Sequence, residues 1–266
     1  MESSSVTTPL IGLLLAVGGV VVYQMARQQS KQLAAYQLVA RKLKAAYIGT
    51  SARPEGMDGS VLATREIVGS NTMKSEPATE AAWWFTNAAI SRPDQDTAEL
   101  YGLVVLAASR EYPHILIQPQ KSGFWHRIEA DNEANLQPAE LESTATEVFV
   151  AAGYETESLQ VLTPALLEQV AATQLVIECF GHTVIVLHKG VVAPAQVEAL
   201  VAAAGQIRDG LHGLGHITPI GDLSLTLRAS RSGEFAVAWG RPLGIIVAVL
   251  AAVGVVLVGV WLLAYR

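Results

Sequence analysis

The chain has 266 residues, a net charge of −6 and 51% apolar residues, with a single cysteine, Cys179. One cysteine excludes a fold stapled by intrachain disulfides. The acidic balance argues against a nucleic-acid binder, which presents a basic face.

Residues 1–9 read as a short polar tail, and residues 10–26 are apolar. A helix needs about 20 residues to cross roughly 30 Å of hydrocarbon. The stretch 10–26 lies at the low end of that range, and its helix is expected to continue into the polar segment that follows. A secretory signal would need a basic leader and a pair of small residues at a cleavage site. The leader MESSSVTTP carries only Glu2, and Gln24 and Ala26 make a poor pair, so an uncleaved anchor is predicted.

Residues 27–48 are predicted as a basic juxtamembrane helix. Arg27, Lys31, Arg41, Lys42 and Lys44 lie there with no acidic residue among them. Near a membrane such residues set topology and attract anionic lipid headgroups, by about 1 kcal/mol each. Leu33, Tyr36, Ala40, Leu43 and Tyr47 recur at intervals of three and four and form one helical stripe. The stripe suits either a seam between protomers or packing on the chain's own domain; it is too short for a sustained coiled coil, and the second is preferred. Residues 49–59, rich in Gly and Pro, are predicted as a linker.

Residues 60–238 are predicted as an α+β domain. Strands are expected at 61–68, 82–89, 99–108, 114–118 and 146–151, followed by a β-hairpin of 174–180 and 183–188 turning at Gly181-His182. One helix should begin at Thr163-Pro164 and another at Pro194, the latter ending at Gly210. A late strand over 223–227 completes the set. Strands mostly grouped, with helices added later, give the α+β class. Between residues 47 and 238 there are 23 acidic against 11 basic residues, a balance of −12, so the domain is more acidic than the whole chain.

Residues 243–264 contain no charge and end beside Trp261, Tyr265 and Arg266, which suits a second span over 242–265. Basic residues cluster on the inner sides of both spans, with Arg228, Arg231 and Arg241 before the second. The positive-inside rule then places both termini outside and the central domain in the cytoplasm. Gly12 and Ala16, and Ala248 and Ala252, are small pairs four apart that allow spans to pack closely.

Several motifs bear on chemistry. Asp94-Gln95-Asp96 has carboxylates that suit a divalent cation, yet it sits in a turn-rich connection where Asp is common for backbone reasons. His212-Gly-Leu-Gly-His216 has metal-ligand spacing on a helix, but Gly213 and Gly215 disfavour a helix there. Cys179 lies inside a predicted strand and reads as a buried thiol. Trp83-Trp84-Phe85 and Phe124-Trp125-His126-Arg127 are aromatic clusters whose alternation sends neighbours to opposite faces; a core role is the default, and a partner groove the alternative. No phosphate loop, nucleophile elbow or dinucleotide fingerprint occurs. No catalytic, metal or cofactor-binding residue is assigned, and no cofactor is expected.

The run FVAAGYETESLQVLTPALLE at 149–168, with Pro113-His114-Ile115-Leu116-Ile117 upstream, resembles a family of bacterial membrane proteins of unknown function. The resemblance covers 112–189. It implies a bacterial membrane protein with an α+β domain, and it implies no activity or site residues. The sequence therefore points to a membrane-anchored, non-enzymatic binding or scaffolding protein, whose partners are the bilayer, anionic headgroups, and a protein or a second copy of itself. The alternative is a membrane-surface enzyme using Asp94/Asp96 or His212/His216.

Overall fold

The computed structural model describes residues 7–51, 53, 57, 59–75, 82–92, 97–124, 135–141 and 145–211, with backbone alone for 7–17. The chain divides into two compact units. One holds the first helix up to Gln32, and the other, Leu33–Ala229, holds the whole sheet.

The first helix, α1 (Thr7–Lys42), is continuous. Residues 19–34 are exposed all round. Further on, Tyr36 and Ala40 are buried against the sheet domain, with Val39 and Leu43 beside them. From Tyr36 onward the stripe therefore packs on its own domain, while Leu33 is exposed. The helix stops earlier than the predicted 48: Lys44 takes a left-handed φ of 51°, which an L-residue does not continue as helix. Strand β1 (Ala45–Ser51) begins at once and absorbs Tyr47 and the start of the predicted linker. Tyr47 still packs against the same core, from a strand.

Six more strands complete an antiparallel sheet: β2 (Glu66–Ser75), β3 (Trp83–Ser91), β4 (Glu99–Pro119), β5 (Leu136–Pro138), β6 (Thr146–Ala151) and β7 (Val176–Lys189). The predicted strand at 61–68 is a turn through Arg65, and the ladder starts at Glu66. The sheet is organised on β4, which merges the two strands predicted at 99–108 and 114–118. Along one side of β4 runs β7, from Tyr101↔Lys189 to Ile117↔Ile177. Its other side is shared by β3, from Trp83↔Leu106, and then β6, from Ile115↔Val150.

The predicted hairpin is thus one strand. Both of its halves pair with β4, and the Gly181-His182 step is a bend within β7, where Gly181 takes a φ of 50°. The register shifts between Ala107 and Ile115 on the partner strand. Side-chain parity changes there: Val104, Leu106 and Tyr112 share one core with Ile115 and Ile117, while Leu103, Val105 and Leu116 share the other. Such a bulge lets two long strands bend together without breaking their ladder.

Both sheet faces are buried. One is covered by α1 and by three further helices, α2 (Glu155–Val161), α3 (Pro164–Thr173) and α4 (Pro194–Gly210), through Val161, Leu166, Val170, Val197, Leu200 and Ile207. The other is covered by Met57, Val61, Leu62 and Phe124. Trp83 and Phe85 face the helices and Trp84 the opposite core, all buried. The aromatic triplet therefore belongs to the interior.

The helix starts follow local chemistry. The Leu166 N–H donates to Thr163 Oγ1 at 3.1 Å ahead of Pro164. The Ala193 N–H donates to Gln196 Oε1 at 3.1 Å ahead of Pro194. Each satisfies a donor that a helix end leaves open. Gly102 in β4 admits Val192, since a Cβ there would meet Val192 Cγ2 at 2.1 Å.

Candidate functional site

Arg27, Lys31, Arg41 and Lys42 lie on α1 and Lys44 just after it, all exposed. Lys42 Nζ donates to Glu198 Oε2 of α4 at 2.5 Å, on the surface. The side chains of the other four make no ion pair or hydrogen bond among the described residues and leave their charges to solvent or an anionic surface. Asp94, Asp96, His212, His216, Trp125, His126, Arg127 and the strand predicted at 223–227 lie outside the described residues, as does the stretch 243–264. Among the described residues, which leave out the side chains of 7–17, no helix is long and apolar enough to cross a membrane. No group of three or more His, Cys, Asp or Glu among them is placed to hold a metal ion. Cys179 is fully buried, and burial, with the charge of Glu178 adding, pushes its thiol far above the ordinary range.

One buried polar cluster and one cleft stand out. Glu178, on β7, is fully buried. Its Oε1 accepts from the Val61 N–H at 2.7 Å and from His114 Nε2 at 2.8 Å, and its Oε2 accepts from Ser60 Oγ at 2.6 Å. A carboxylate only accepts, so His114 Nε2 carries the hydrogen. The Leu62 N–H donates in turn to Ser60 Oγ at 3.0 Å. Three donors on one carboxylate make burying its charge tolerable. The arrangement is a lock: one buried carboxylate gathers donors from Ser60, Val61 and His114. The lock fixes the turn at 59–65 over the bend in β4 and β7. In the sequence, the only signal for it was a Glu set between the apolar Ile177 and Cys179.

A second polar group ties α1 to the sheet. Tyr36 Oη donates to the Val192 carbonyl at 2.6 Å. Asn87 Nδ2 donates to Tyr36 Oη at 3.0 Å and to the same carbonyl at 3.2 Å, and Asn87 Oδ1 accepts from the Val192 N–H at 2.8 Å. Burial raises the Tyr36 phenol, against a smaller opposing effect of the Asn87 hydrogen bond.

The cleft lies between the bend of β4 and the end of α4 and has a volume of about 370 Å³. Ala108, Ser109, Arg110, Tyr112, Arg208, Asp209 and Leu211 line it. Arg208 donates from Nη2 and Nε to Asp209 Oδ1 at 2.7 and 2.8 Å, while its Nη1 is buried with no partner. Arg110 is exposed, and its guanidinium makes no ion pair among the described residues. Tyr112 is buried, and burial raises its phenol. Sequence reasoning missed this pairing because Arg110 and Arg208 are remote in the chain, and a basic residue in the last turn of a helix is ordinary.

No protein family model matches the chain, and no curated protein matches it. Among solved structures it is similar to the mycobacterial trehalose monomycolate transport factor A, TtfA, at a TM-score of 0.47 and 8% identity over 70% of this chain and 98% of that one. A likeness at that level carries no argument about this chain.

Proposed function

We propose that the chain is a membrane-anchored, non-enzymatic binding or scaffolding protein. In this reading residues 10–26 and 242–265 cross the bilayer, both termini lie outside, and the acidic α+β domain works in the cytoplasm. The observation that carries it is on α1. Val20, Val21, Val22, Tyr23 and Met25 are exposed, at 47–64% of their surface, on a stretch that none of the described residues covers. Apolar side chains that crowded and that exposed call for an apolar surrounding. Their continuity with the apolar run from Leu10 makes a bilayer the best fit.

The unpaired Arg27, Lys31, Arg41 and Lys44 suit anionic headgroups at the inner surface. The resemblance of 112–189 to bacterial membrane proteins is consistent with this setting. The alternative, a membrane-surface enzyme using Asp94/Asp96 or His212/His216, rests on residues outside the described ones.

The test is the mass of the full chain after extraction in mild detergent. A complex larger than one copy, with a partner or a second copy at fixed stoichiometry, is expected. Recovery of a lone monomer under every mild condition would contradict a binding or scaffolding role.

A further inference from the structure

We propose that the cleft between the bend of β4 and the end of α4 binds the phosphate group of a small molecule or lipid headgroup. This goes beyond the scaffolding reading and does not depend on it.

Two guanidinium groups from remote parts of the chain line one cavity, Arg110 from the strand and Arg208 from the helix. Arg208 spends two donors on a single oxygen of Asp209 and holds a third, Nη1, buried and unpartnered. A buried charged donor left unmade is costly, so the Arg208 guanidinium sits beside the cleft with an incomplete set of partners. Two arginines against one aspartate leave one net positive charge. The C-terminus of α4 opposes an anion with roughly half an elementary charge, so the site stays positive.

The bland alternative is that Arg208 only neutralises Asp209 and the end of its helix. That account leaves Arg110, which lines the same cleft, without an ion pair among the described residues.

Shape selects phosphate over carboxylate. A guanidinium fork takes two oxygens at once. A carboxylate is used up by one fork, whereas a phosphate has oxygens left for a second arginine lining the same cleft. The cavity lies within the roughly 300–1,000 Å³ typical of small-molecule sites and exceeds a bare ion. Ala108, Tyr112 and Leu211 give it apolar wall for an attached organic portion.

The experiment titrates the full chain in detergent with inorganic phosphate, followed by calorimetry. Saturable binding is expected. Arg110→Gln, on the surface and harmless to folding, should weaken it about tenfold, the equivalent of losing one charge-assisted contact. Asp209→Asn frees the Arg208 fork and should tighten binding, which a purely structural role for Arg208 would not do. A wild-type chain that shows no saturable binding, or binding unchanged in both variants, overturns the proposal. Competition against phosphate in the same detergent separates the sources. Displacement by short-chain phosphatidic acid far better than by glycerol phosphate assigns a lipid headgroup, and the reverse order assigns a soluble phosphate compound.

Discussion

Glu178 is enclosed on all sides, and both of its oxygens are occupied by donors from Ser60, Val61 and His114. Removing the carboxylate strands those donors in the interior, which costs more than the hydrogen bonds contribute. Glu178→Ala is expected to destabilise the domain by about 3–5 kcal/mol, the range for breaking a buried charged contact, read from thermal or denaturant unfolding. A loss below 1 kcal/mol would show that the cluster does not hold the 59–65 turn. Its neighbour Cys179 keeps its proton in the fold, because burial, with the Glu178 charge adding, raises the thiol far above its ordinary value of 9.0. Unfolding frees a thiol that ionises near that value. Stability should therefore fall as pH rises above about 9, by up to about 1.4 kcal/mol per unit. Cys179→Ala should show a shallower alkaline slope, and an unchanged slope would remove the thiol from the account.

At the scale of elements, the end of α1 is held by the Tyr36–Asn87–Val192 group as well as by the burial of Tyr36 and Ala40. Asn87→Ala leaves the Val192 N–H without its acceptor in a buried place, at a cost of about 1–3 kcal/mol. Unfolding followed by circular dichroism is expected to show that loss, and wild-type stability would contradict this attachment. Much of this level was legible in the sequence. The β6 strand and the starts of α3 and α4 follow from alternation and from proline after a capping position, because those signals are local.

What stayed hidden was non-local. A hairpin and a bent strand look alike around Gly181 and His182, since both offer two apolar runs and a glycine. Only the partner decides, and β4 is long enough to take both runs. The stripe ending at Tyr47 kept its 3–4 spacing across a helix end because the same core faces α1 and β1. Glu178, His114, Arg110 and Arg208 meet only through pairing of distant strands and packing of α4, which spacing along the chain does not encode.

For the whole molecule, the sheet domain is acidic and closed on both faces, so its interior offers nothing to a partner and its surface and cleft must do the work. The basic residues sit on the α1 side of the charge division, between an apolar stretch and an acidic domain. That order of charge underlies the proposed orientation. The most direct measurement joins a reporter after Ala229 and reads the side on which it works. A fluorescent or cytoplasm-dependent enzyme reporter is expected to be active there, cofractionating with membranes, and alkaline phosphatase at the same junction is expected to be inactive. Active phosphatase would place the acidic domain across the bilayer, and a cytoplasmic reporter recovered in the soluble fraction would remove the anchor.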